Sequence, residues 1–93
     1  MRQVVRVRVY GRVQGVWYRG WTVDAARARD LSGWVRNRKD GTVEAVFAGA
    51  PDKVADMIEA CRQGPPLAQV DALERFDAAD EGWPVFSQLP TTE

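Results

Sequence analysis

The chain predicts an α+β fold of strand-helix-strand-strand-helix-strand order, and three observations carry that prediction. Gln3 to Tyr10 alternates apolar and polar residues, which is the pattern of a strand with one buried face. Asp40-Gly41 separates two strand-like runs, the strongest short-range hairpin signal a sequence offers. Pro51, an apolar stripe at Val54, Met57, Ile58 and Cys61, and Gly64 ahead of Pro65-Pro66 mark a helix with both of its ends.

In the first strand Val5, Val7 and Val9 share one face, and Arg6, Arg8 and Tyr10 share the other. The stretch Tyr10-Gly11-Arg12-Val13-Gln14-Gly15-Val16-Trp17-Tyr18-Arg19 then joins that strand to a helix. Gly11 and Gly15 allow tight folding, so that successive backbone amides converge, and a helix beginning near Arg19 adds the positive end of its dipole. Such a concavity suits an anion. Arg19 at its mouth supplies a planar, permanently charged fork for two oxygens of a phosphate or carboxylate.

Trp21 to Leu31 is rich in good helix formers, with small alanines for close packing, and Ser32-Gly33 breaks it. Gly33 to Lys39 and Thr42 to Ala48 are the two strands of the Asp40-Gly41 hairpin. Val70 to Ala78 alternates imperfectly because Ala72 and Leu73 adjoin, which predicts a strand with a bulge or bend. Trp83 to Leu89 suits a short edge strand, and Pro90 to Glu93 is expected to be loose. This order is the ferredoxin-like split β-α-β arrangement, an antiparallel sheet of four main strands with both helices on one face. A right-handed crossover makes the first and second strands parallel, with the third between them. The loop at 11–19 and the end of the second strand at Asn37 to Lys39 then share one edge, which brings Asn37 within reach of the anion loop.

Length and charge narrow the function. Ninety-three residues with 45% hydrophobic content supply one domain, spanning 1–93, and one modest core. Thirteen basic side chains balance thirteen acidic ones, so no net charge draws the chain onto nucleic acid or an anionic membrane. Residues 1–39 nevertheless carry ten basic side chains against Asp24 and Asp30, so any anion site belongs there. There is no histidine, and Cys61 is the single cysteine. That inventory excludes a structural zinc site, a Ser-His or Cys-His couple and a disulfide within the chain, and predicts a cytoplasmic location. No apolar run approaches the length of a membrane span.

The two motifs Gly11-Arg12-Val13-Gln14-Gly15-Val16-Trp17-Tyr18-Arg19 and Gly33-Trp34-Val35-Arg36-Asn37-Arg38-Lys39-Asp40-Gly41-Thr42-Val43-Glu44 closely resemble those of the acylphosphatase family. The resemblance extends to Gly64-Pro65-Pro66, Ala68 and Val70 and leaves only the tail uncovered. It implies a hydrolase of carboxylic-phosphoric mixed anhydrides that uses no metal and no cofactor. It also implies that Arg19 binds the phosphate, that the amides of Gly15, Val16, Trp17, Tyr18 and Arg19 cradle it, and that Asn37 orients the attacking water. Trp17-Tyr18 stands where paired phenylalanines are commoner in the family, and Arg29 where leucine is.

The chemistry agrees with the absence of histidine. Phosphoryl transfer is mostly positioning and charge stabilisation, and a carboxylate with a conjugate-acid pKa of about 4 leaves unprotonated. Expected partners are therefore a small acyl phosphate and inorganic phosphate, as product and inhibitor, with no nucleic acid, no membrane and a monomeric chain. Arg6, Arg8, Arg36 and Arg38 are read as the outer face of the sheet. An RNA-binding sheet would need aromatics on its middle strands, and Thr42 to Ala48 offers one aromatic and an acid. A non-catalytic module that binds acyl phosphate or phosphate on the same fold is the alternative.

Overall fold

A computed structural model describes residues 1–91, and the end of the expected loose tail, Thr92 and Glu93, lies outside the described residues. The elements in chain order are β1 (Gln3–Arg12), α1 (Tyr18–Ala28), β2 (Ser32–Asn37), β3 (Val43–Gly49), α2 (Pro51–Gln63), β4 (Gln69–Asp77) and β5 (Phe86–Gln88). They form one sheet in the order β4-β1-β3-β2-β5. As expected from the crossover, β3 lies between β1 and β2 and is antiparallel to both. The short edge strand expected at Trp83 to Leu89 forms as β5, shorter than that, so the sheet has five strands; it is mixed and not wholly antiparallel, because β5 runs parallel to β2. Burial accounts for that extra strand. Phe86 is fully buried and stacks on Phe47 with ring centroids 5.4 Å apart, while the Leu89 amide donates to the Val35 carbonyl at 2.8 Å.

The core lies between the sheet and the helices. Val5, Val7 and Val9 of β1, with Val35 and Phe47, meet Val23 and Ala26 of α1 and Val54, Met57, Ile58 and Cys61 of α2. Each large aliphatic or aromatic side chain buried this way contributes about 1.5–3 kcal/mol. Burial also pushes the Cys61 thiol up to about 12, which leaves it a core residue with no thiolate chemistry at neutral pH.

Strand ends differ from the sequence expectation by one to three residues, and three further differences have a local reason. Helix α1 starts at Tyr18 and stops at Ala28, where Trp21 to Leu31 was expected. It stops early because Asp30 takes the left-handed conformation at φ 56°, so that the Asp30 and Leu31 amides fold back onto the carbonyls of Arg27 and Ala26. The hairpin loop is three residues long, closed by the Arg38 amide donating to the Thr42 carbonyl at 2.9 Å. Asp40 braces it by accepting from the Thr42 hydroxyl and amide, and these bonds hold its carboxyl down to about 2. Gly11 is the third difference. It belongs to β1 and not to the anion loop, at a register shift where Tyr10 faces Ala72 and Gly11 faces Val70, so the bulge expected at Ala72-Leu73 falls at Asp71. With φ 124° and the Gln69 carbonyl against the place a side chain would take, this position requires glycine.

The outer face of the sheet holds the arginines, and they are organised around one acid. Glu44 is only 5% exposed and accepts from Arg6 at 3.0 Å, Arg36 at 2.9 Å and Arg38 at 2.9 Å. Burial alone would raise its carboxyl pKa, but the hydrogen bonds and charges of Arg36 and Arg38 outweigh it and hold the group below the usual range. This pairing fixes the strand residues on both sides of Asn37.

Candidate active site

The turn between β1 and α1 is built to leave amides unpaired. Gly15 at φ 73° and Trp17 at φ 66° are both left-handed, with Val16 between them at negative φ, a reversal that turns successive N–H groups to one side. Trp17 is the residue that caps α1, and no side chain bonds the helix's first amides. Among the described residues, the first amide of this segment with a backbone acceptor is that of Trp21, which donates to the Trp17 carbonyl at 3.0 Å. A left-handed conformation in a residue other than glycine costs about 1–2 kcal/mol, so Trp17 stores strain where the free amides gather.

Beside this turn lies a cleft of about 160 Å³ lined by Val13, Gly15, Trp17, Tyr18, Arg19, Gly20, Asn37 and Gln88. Of the residues singled out from sequence, Gly15, Trp17, Tyr18, Arg19 and Asn37 are brought together here. Val16 is not among the lining residues; it is buried in the core. Arg19 makes no hydrogen bond or ion pair among the described residues, whereas Arg2, Arg6, Arg8, Arg29, Arg36 and Arg38 each have an acidic partner. Asn37, at the end of β2, is 8% exposed, and its Oδ1 is buried without a hydrogen-bond partner. A buried acceptor left open at a cleft wall is costly unless something fills it, and a water molecule is the smallest group that can.

Two side chains hold the loop and the start of α1 in place. Gln14 donates from Nε2 to the carbonyls of Arg38 at 2.7 Å and Thr42 at 2.9 Å, fastening the loop to the base of the hairpin. Tyr18 is buried and donates its hydroxyl to the Cys61 carbonyl at 2.6 Å, tying the first turn of α1 to the last turn of α2. Gly64 lies against the Tyr18 ring, where an added Cβ would come within 2.7 Å of it. Arg29 bonds Asp56 of α2 at 2.8 Å. Tyr18 and Arg29, two departures from the residues commoner in the family, thus each join the helices.

Sequence reasoning missed Gln14, Gly20, Val13 and Gln88. Gln14 had a signal, a polar residue inside a tight loop with no charge to solvate it. Gln88 had none, because it reaches the cleft through a three-residue parallel strand too short to show a period.

Among the described residues, no helix is long and apolar enough to cross a membrane. Comparison with known proteins gives a consistent answer. The Acylphosphatase family model matches residues 5–84. An acylphosphatase of Rhodospirillum rubrum is 56% identical over 85 residues, covering 91% of this chain and 93% of the relative. One of Bradyrhizobium diazoefficiens is 52% identical over 96 residues, covering 97% of each. The crystal structure of acylphosphatase from Bacillus subtilis superimposes with a TM-score of 0.91 at 36% identity, over 96% of this chain and 99% of that one. With the motifs, the fold and near-complete alignment in agreement, this chain belongs to the acylphosphatase family.

Proposed function

We propose that the chain hydrolyses the carboxyl-phosphate bond of small acyl phosphates without a metal ion, with Arg19 and Asn37 as its catalytic residues. The observation that carries this reading is that Arg19 and Asn37 line one small cleft and neither has a partner of its own for the groups in question. Phosphoryl oxygens accept hydrogen bonds from the amides of the cleft-lining residues Gly15, Trp17, Tyr18 and Arg19 and from the Arg19 fork, which concentrates positive potential where negative charge sits in the transition state. The Asn37 Oδ1 accepts a hydrogen bond from water and aims its oxygen at phosphorus. As the water oxygen bonds to phosphorus, the bond from phosphorus to the acyl oxygen breaks, and its electron pair leaves with the carboxylate. The water proton passes to a phosphoryl oxygen. No general acid is needed, because the leaving carboxylate is stable unprotonated at neutral pH. A phosphate ester, which must expel an alkoxide, is a poor substrate for such a site.

The chain is read as a monomer in the cytoplasm, where its single cysteine forms no disulfide within the chain. Nucleic acid is not a partner, since the arginines of the outer face are engaged by Glu44 and Asp40. Acetyl phosphate hydrolysis is the test. Its rate should be unchanged in excess EDTA, and inorganic phosphate should inhibit competitively. Activity lost to chelator and restored by magnesium would contradict the metal-free mechanism, and indifference to high phosphate would contradict the anion loop. Tight binding of acetyl phosphate with no turnover would instead favour the non-catalytic module.

A further inference from the structure

We infer that the Trp17 indole is the platform on which the acyl group of the substrate rests, and that it makes the enzyme selective for aryl and other flat apolar acyl phosphates. This inference rests on the hydrolase reading above. Trp17 is 62% exposed, an unusual state for the largest apolar side chain, and no aromatic or cationic partner covers it among the described residues. Its ring nevertheless has a defined place. It lies against the helix at Gly20, where an added Cβ would collide with the indole Nε1 and Cδ1, so the absence of a side chain at Gly20 seats the ring. Both residues line the cleft, and the strained backbone at Trp17 belongs to the same turn that gathers the free amides.

The direction of displacement points the acyl group toward this ring. Water and leaving group stand on opposite sides of phosphorus in an in-line transfer. Asn37 and Gln88 enter the cleft from the sheet, while Trp17, Arg19 and Gly20 enter from the start of α1. With water held by Asn37 on the sheet side, the carboxylate departs on the helix side, where the Trp17 indole is an exposed aromatic surface that no other ring covers among the described residues. A benzoyl group stacks there, and an acetyl group has too little area to do so.

The test compares kcat/KM for benzoyl phosphate and acetyl phosphate in the parent, Trp17→Phe, Trp17→Ala and Gly20→Ala. Both substrates carry the same phosphoryl group, so damage to the amide cradle cancels in the ratio of the two. Stacking of a planar ring on an aromatic side chain supports a fall in that ratio of about tenfold in Trp17→Ala. Trp17→Phe should keep most of it. Gly20→Ala, whose methyl displaces the indole without deleting it, should lower the ratio in the same direction, and it serves if Trp17→Ala does not fold. A benzoyl-to-acetyl ratio within about twofold of the parent in both alanine variants would overturn the platform and leave the hydrolase reading standing. Absence of turnover by the parent on both substrates would overturn the hydrolase reading and this inference together.

Discussion

Arg19→Lys should lower kcat/KM for acyl phosphate by at least about a thousandfold, in the range seen for arginines that stabilise phosphoryl transition states. Lysine keeps the charge but replaces the planar fork by a point charge on a flexible stem, and one ammonium cannot grip two phosphoryl oxygens in a fixed plane. Weaker inhibition by inorganic phosphate should accompany the loss. The fold should be untouched, because Arg19 has no hydrogen bond or ion pair to lose among the described residues. Circular dichroism and a thermal melt on the same preparation separate lost catalysis from lost structure. A folded variant within about tenfold of the parent, or roughly 1.4 kcal/mol, would remove Arg19 from its role.

Asn37→Ala should behave differently. Its carboxamide is proposed to hold water and not the anion, so kcat should fall by about a hundredfold or more while inhibition by inorganic phosphate stays as it was. Since the Asn37 side chain makes no hydrogen bond among the described residues, the fold loses little on its removal. Steady-state kinetics with phosphate as inhibitor checks the split. Near-parental turnover in a folded variant would exclude Asn37 from the reaction, and phosphate inhibition weakened in step with kcat would make it an anion ligand.

Much of this architecture can be read from residues whose local preference and tertiary role coincide. The valines of β1 alternate because one face of the strand is core, and α2 shows its stripe between Pro51 in its first turn and Gly64 at its end, residues that ordinarily mark helix ends. The junction of Asn37 with the anion loop also follows from sequence, once strand order and crossover hand put both at one sheet edge.

What could not be read obeys tertiary rather than local constraints. Gly11 resembles a turn residue, but its positive φ serves a bulge opposite Asp71, a demand set by the distant strand β4. The start of α1 has no capping side chain to announce it, since its first amides are left open and its cap, Trp17, is a residue that ordinarily avoids the left-handed region. Its end is marked by Asp30 where glycine is the usual signal. Glu44 looks like a solvent-facing strand acid, and only the pairing of β1 and β2 on either side of β3 gathers arginines around it.

The central claim is that the site holds the phosphoryl group and directs water at phosphorus, not at the acyl carbon. Hydrolysis in ¹⁸O-labelled water measures this directly. The cradle and Asn37 predict label in inorganic phosphate, with the released carboxylate unlabelled, since the bond that breaks is the one between phosphorus and the acyl oxygen. Label found in the carboxylate would mean attack at the carbonyl carbon, and would contradict the roles given to the loop, Arg19 and Asn37 together.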